Sequence, residues 1–461
     1  MPAARERKPP PGDRLRKQRE TNTADAAALD EQTAPPSSVG RLPAHGSLRE
    51  LQQTLGNARL ARLLTAPPGN ATRVTALQRQ DTAVGDAPAA AEADAAPLLN
   101  AAQIADARRY YTSQPARYTP EIISQLRTSL GLAPDGGVDE ALVLAVARFQ
   151  STDGAGDPAL AIDGKAGPRT LPRIFRGGLN VEATGQAFGE DVQSQVIDQW
   201  ATLATAEARR DKLVELVNER LTAAGVPAVT TEFDANENNA GSFNFPTWTM
   251  RIGRRRLGAE SINEADARDT ADTVYHEARH TEQWFRMAQL RASQGLTADA
   301  IARELGIQPR IATAAAAAPL TPGSMQALIA QGWWDSVYGA GGDQRNAVLR
   351  EVNAAATART AAQAAHTANP TPETQAALDQ ANARFDRAFA AYQNLPEEND
   401  AWATGPLAAA GVTSGSPEPE PAPGAAGLPG AAGEPAGTPP AADGPAHGTM
   451  PEENLPAGGA P

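Results

Sequence analysis

Both ends of this 461-residue chain lack the apolar periodicity that a packed core needs, which confines any fold to the middle. Residues 1–45 are rich in Pro, Arg, Glu, Ala and Thr, and 405–461 are mostly Pro, Gly, Ala and Glu. Neither stretch can bury enough surface to offset the entropy of ordering it. Residues 1–99 are therefore expected to be a disordered leader with one helix, and 405–461 a disordered tail. What remains must work with little: the hydrophobic fraction is 41%, carried largely by alanine, and aromatics are 5%. A net charge of −13 excludes general affinity for nucleic acid, which requires a basic footprint. With no cysteine, disulfides, thiolate metal sites and cysteine nucleophiles are excluded. No run approaches 18 apolar residues, and the first twenty residues are charged and proline-rich, so neither a membrane span nor a secretory signal is expected.

Within the leader, Ser47 and Glu50 form a capping box, and Leu48, Leu51, Leu55, Leu60, Leu63 and Leu64 recur near helical spacing. This predicts an amphipathic helix over 47–66. After the Ala/Pro/Asp linker near 87–97, Ile122, Ile123, Leu126, Leu130 and Leu132 form one helical face. Leu142, Val143, Val146 and Phe149 form the next, with glycine-rich turns at 134–137 and 163–168. A further helix carries Leu213, Leu216, Val217 and Leu221. Val229–Phe233 reads as a strand, and Ser242–Ile252 as a longer alternating one, with Pro246 marking an edge or a bulge. Ser261 and Glu264 suggest a second capping box, opening a long helix through His276 to about Ser293. Two alanine-rich helices follow the Trp333-Trp334 cluster, the second starting at Thr371-Pro372 and ending near Asn394–Pro396. The expected class is α+β, mostly helical, with a helical module over 100–180 and a second domain over 190–404.

Only five histidines occur, and two of them lie in His276-Glu277-Ala278-Arg279-His280. On a helix, residues four apart share a face, so both imidazoles can reach one Zn²⁺. Glu277 is turned about 100° from His276 and is better placed to take a proton than to ligate. Catalytic zinc needs a third protein ligand, and with no Cys and no other well-placed His it must be a carboxylate. Candidates are Glu398, Glu397 and Asp400 and, failing those, Asp335. Tyr338 or Tyr392 could donate to an oxyanion. Gln283 and Arg286 stand where a metzincin would carry Gly and His, which excludes that class.

Four strings resemble known families. LQQTLGNARLARLL, with LQRQ at 77–80, resembles a leader of proteins encoded beside bacterial contractile injection systems. The order QLRTSLGL, DGGVDEALVLAVARFQ, DGKAGPRTL, over roughly 115–176, resembles the peptidoglycan-binding-like three-helix module. HEARHTEQWF resembles the HExxHxxQ of zincin-like metallopeptidase domains found with that same leader. Tyr392–Trp402 is similar to a Y-x-N-x-P-x-E-x-E-A-aromatic string of peptidase-like families, which puts Glu398 in the ligand place and Asp400 in the second acidic place, where Glu is usual. Together the resemblances imply a zinc metallopeptidase acting on a protein or wall peptide. In that reading His276, His280 and Glu398 hold the metal, Glu277 is the base and Tyr338 is a helper. They also imply synthesis in the bacterial cytoplasm, loading into an injection particle through tube or baseplate proteins, and contact with peptidoglycan. The competing expectation is a non-catalytic cargo, adaptor or wall-binding protein with an idle metal site.

Overall fold

The computed structural model describes residues 97–154, 158–235 and 240–413. The leader helix expected at 47–66 and the chain beyond 413 lie outside these residues. The described part is mostly helical, with one small sheet.

Three helices come first. Asn100 caps α1 (Ala101–Thr112) through a capping box with Gln103, Thr119 caps α2 (Pro120–Ser129), and Asp139 caps α3 (Glu140–Thr152). The expected faces are largely inside: Ile122, Ile123, Leu126, Leu142, Val143 and Val146 are buried, whereas Leu130, Leu132 and Phe149 are half-buried. The turn at 163–167 has a specific physical basis. Gly164 has φ +70°, a region costly for residues with a Cβ. The Gln150 side chain accepts from the N–H groups of Asp163 and Gly164 at 3.0 and 2.9 Å, and the Tyr111 hydroxyl donates to Gly164 O at 2.9 Å. After the short α4 (Leu171–Ile174) a 3-10 turn at Gly178–Asn180 leads into α5 (Glu182–Val192). Residues 181–189, left between the two expected domains, thus form most of a helix, with Phe188 fully buried. One hydrophobic core joins Leu142 of the first module to Ala278 and Ala408, so the expected boundary near 180–190 is not a break in packing.

α6 (Ala206–Ala223) precedes the sheet β1 (Thr230–Phe233), β2 (Gly241–Asn244) and β3 (Thr249–Ile252). The order is β1-β3-β2, with β1 parallel and β2 antiparallel to β3. The long strand expected over 242–252 is instead a hairpin. Asn244 Oδ1 accepts from Thr247 N at 3.0 Å and Thr247 Oγ1 at 2.8 Å, Pro246 sits in the turn, and Trp248 takes φ 52°. After α7 (Arg254–Leu257), Asn263 rather than Ser261 caps α8 (Glu264–Ser293), accepting from Asp266 N at 2.8 Å.

α9 (Ala298–Leu305), α10 (Pro309–Ala317) and α11 (Met325–Val337) lie beyond α8. Then α12 (Gly342–Ala368) and α13 (Pro372–Gln393) form a hairpin with a core of its own, built from Val352, Ala355, Ala356, Phe385, Phe389 and Tyr392 with Trp402. The last element, α14 (Pro396–Ala409), packs on α8 and α5. It overruns the tail expected from 405. A Cβ on Gly405 would collide with Asp272 and one on Gly411 with Gln186, while Ala408 and Val412 are fully buried. The small residues read as tail composition are there because two helices approach closely.

Candidate metal centre

The centre is made by the crossing of α8 and α14. From Ala267 to Leu290, α8 is buried on nearly every side, polar residues included. His276 and His280, one turn apart, bring their Nε2 atoms to 3.1 Å. Glu398, in the first turn of α14, places Oε2 3.5 Å from His280 Nε2 and 3.9 Å from His276 Nε2. The three side chains form the one group among the described residues able to hold a metal ion. Donors roughly 2.0–2.1 Å from a tetrahedral ion stand about 3.3–3.4 Å apart, so the three spacings match a shared small cation. A second observation fits the same ion: Glu398 is fully buried, and neither of its oxygens has a hydrogen bond of ordinary length and angle, only the more distant His280, His276 and Tyr392 facing it. A buried carboxylate in that state is costly unless a cation satisfies it.

Around these ligands the hydrogen bonds are specific. Gln283 Nε2 donates to Asp400 Oδ2 at 2.8 Å and to the Glu397 carbonyl at 2.9 Å, which turns Oε1 toward His280 Nδ1 at 2.9 Å. Because Oε1 can only accept, Nδ1 of His280 keeps its proton, and Nε2, which faces Glu398, is the nitrogen that becomes a lone-pair donor when the imidazolium loses a proton. Asp400 is itself held by Arg279 Nε at 2.8 Å and Asn180 Nδ2 at 3.1 Å, and Arg279 also bonds Glu282 at 2.6 Å. Burial opposes the Arg279 charge, but Asp400 and Glu282 keep its pKa above the ordinary value. Asp400 therefore acts on His280 through an intervening amide. Glu397 points the other way, to Arg345 Nε at 2.7 Å, and is excluded as the third ligand. Asp335 is likewise engaged, 2.6 Å from Arg117.

Glu277 is 1% exposed; its Oε2 accepts from Phe243 N of β2 at 2.9 Å, and Oε1 has no partner. Burial pushes its pKa up, His280 pulls it down and Glu398 raises it again, leaving it at about 7. Burial also works against a charged His280, but Glu398 and Glu277 outweigh it and bring the pKa to about 9. For Glu398, burial is overcome by His280 and His276, which lower its pKa. Tyr392 is buried beside Glu398, and desolvation with that neighbouring charge puts its pKa well above 10.0. The edge of Trp402 packs against the His276 ring, with centroids 5.1 Å apart.

Two expectations need correction. Tyr338 is not a helper of the centre: its hydroxyl donates to Leu305 O at 3.0 Å and accepts from Trp284 Nε1 at 3.2 Å, tying α11 to α8 and α9. The strand expected over 242–252, with Pro246 marking an edge, leaves at the sheet edge only the four-residue β2, buried throughout, with the Phe243 N–H already given to Glu277. His366 bonds Thr374 Oγ1 on the helical hairpin, and His45 and His447 lie outside the described residues. Residues that sequence reasoning missed are Arg279, Glu282 and Asn180. Each is an ordinary surface type whose role depends on what α14 brings against it, and local spacing carries no signal for that. Gln283 stood in a recognised string, but its amide role did not. No family model, no curated protein and no solved structure matches this chain.

Proposed function

We propose that this protein is a zinc-dependent peptidase of the zincin type, with His276, His280 and Glu398 as ligands and Glu277 as general base. The observation that carries the reading is Glu277 Oε1, a buried carboxylate oxygen without a partner, one residue from a ligand. Bound zinc would supply a Lewis acid that polarises a scissile carbonyl and lowers the pKa of a water molecule. The chain's own residues do the rest. The Phe243 N–H fixes Oε2 of Glu277, so Oε1 is the atom free to take a proton. A pKa near 7 suits that group both to accept the proton and to return it to the leaving amine at neutral pH. Gln283 holds the His280 tautomer that leaves Nε2 available. The leader string and the DGKAGPRTL module extend the reading to an injection-particle cargo whose substrate is a protein or wall peptide; their support is the resemblance alone.

The deciding experiment compares wild type with Glu277→Gln for metal content and for hydrolysis of a casein-type substrate. The variant should retain the ion and lose turnover by on the order of 10²–10⁴-fold. Turnover near that of wild type would overturn the mechanism. One observation favours the alternative, a structural ion in a non-catalytic cargo or adaptor: His276, His280 and Glu398 are 7%, 2% and 0% exposed. Stoichiometric metal in wild type with no cleavage of any peptide substrate would select it.

A further inference from the structure

At the root of the α12–α13 hairpin a cavity of about 590 Å³ opens between the first helical module, α11 and the start of α14. Arg117, Arg169 and Arg345 line it, against a single carboxylate, Asp335. Asp335 is already used by Arg117 at 2.6 Å and by Gln331 Nε2 at 2.7 Å. Arg345 is 3% exposed and gives its Nε to Glu397. Arg169 differs from both: its hydrogen bond goes to the Asn394 amide oxygen, and it has no carboxylate partner among the described residues. Burial lowers its pKa, and the more distant charge of Asp163 offsets that only in part. The N-terminus of α14 adds the same sign, since Leu395 in the cap position supplies no side-chain acceptor.

We infer that this cavity binds a peptide carboxylate, with the Arg169 guanidinium as its principal recognition group. A planar guanidinium matches a carboxylate through two parallel hydrogen bonds. The volume falls in the range that holds a small organic ligand and exceeds what a bare ion needs. Pro168, Val348, Ala391 and Leu395 give it aliphatic walls. A large polyanion is disfavoured, because the chain as a whole carries −13. The cavity borders Pro396, two residues before Glu398 in the chain. Its role as a substrate subsite rests on the peptidase reading, whereas the binding does not.

The test is calorimetric titration of the metal-free full chain, where no turnover can occur. N-acetyl-aspartate amide presents a side-chain carboxylate and N-acetylalanine a C-terminal one. Their uncharged amides and inorganic phosphate serve as controls. Saturable binding of either acid, with the amides and phosphate inert, is expected, and the acid that binds identifies the source of the carboxylate. Arg169→Ala should weaken binding roughly tenfold or more while leaving the melting temperature unchanged, and Arg169→Lys should restore part of it. Absence of binding by both acids, equal binding of phosphate or the amides, or indifference to Arg169→Ala would each overturn the assignment. Because hydrolysis is not measured, carboxylate binding by a protein that cleaves nothing sinks the peptidase reading and leaves this one standing.

Discussion

Gln283 Oε1 accepts from His280 Nδ1 at 2.9 Å, and this one contact decides which nitrogen of the ring faces Glu398. The amide cannot be turned over without opposing its NH₂ to His280 N–H and its oxygen to two acceptors, Asp400 and the Glu397 carbonyl. Replacing Gln283 with Ala should therefore weaken zinc binding about 10–100-fold, as expected for a group that orients a ligating histidine. Asp400→Asn should show a smaller loss of the same kind, since it acts one bond farther out. Competition with a chromogenic chelator measures both, and equal affinity in wild type and Gln283→Ala would refute the relay.

Glu398 and Glu397 are adjacent in sequence and opposite in role. Glu398→Ala should lower metal affinity by orders of magnitude, because it leaves two imidazoles alone. Glu397→Ala should bind metal nearly as wild type does but unfold more easily. It removes the carboxylate paired with the buried Arg345, and breaking one side of a buried ion pair costs about 3–5 kcal/mol. Metal titration and urea denaturation on the same two variants separate the effects. A larger metal loss in Glu397→Ala would show that the ligand is misassigned.

Stability without metal should fall as pH rises. The folded pKa of His280, about 9, lies above its ordinary 6.5, so its stabilisation is complete below pH 6.5 and lost on passing through 9. Glu277, raised from 4.5 to about 7, acts in the same direction over its own window. Protein treated with chelator should accordingly be less stable to urea at pH 9 than at pH 6. Zinc affinity should rise over that interval, because the ion displaces the His280 proton. A metal-free protein more stable at pH 9 would contradict both assignments.

The end of α14 should matter to folding. A chain ending at Thr404 loses the buried Ala408 and Val412 and the close approach at Gly405 and Gly411, whereas one ending at Thr413 keeps them. Calorimetry should place the melting temperature of the shorter chain several degrees lower, since a difference of about 1 kcal/mol shifts it by roughly 2–4 °C in a domain of this order of size. Coincident transitions would return 405–413 to the tail.

Much of the local structure was legible from residue order, because its causes are local. Helical spacing marked Ile122, Leu126, Leu142 and Val146 as interior, Thr371-Pro372 announced the start of α13, and a spacing of four put His276 and His280 on one face. Errors arose where a short stretch satisfies two local rules at once. Ser261 and Asn263 can both cap, and an alternating run interrupted by Pro246 serves as well for a hairpin as for one strand. The sequence by itself thus determined the identity of the histidine pair and the chemical type of its missing partner. The resemblance of Tyr392–Trp402 put Glu398 in the ligand place; tertiary structure alone decided that Glu397 faces Arg345, that Gln283 and Asp400 stand behind His280, and that Tyr338 serves α9 instead. The physical reason is that these relations join segments about 30–120 residues apart, where a rotation of about 100° between neighbouring positions is fixed by packing and by nothing local.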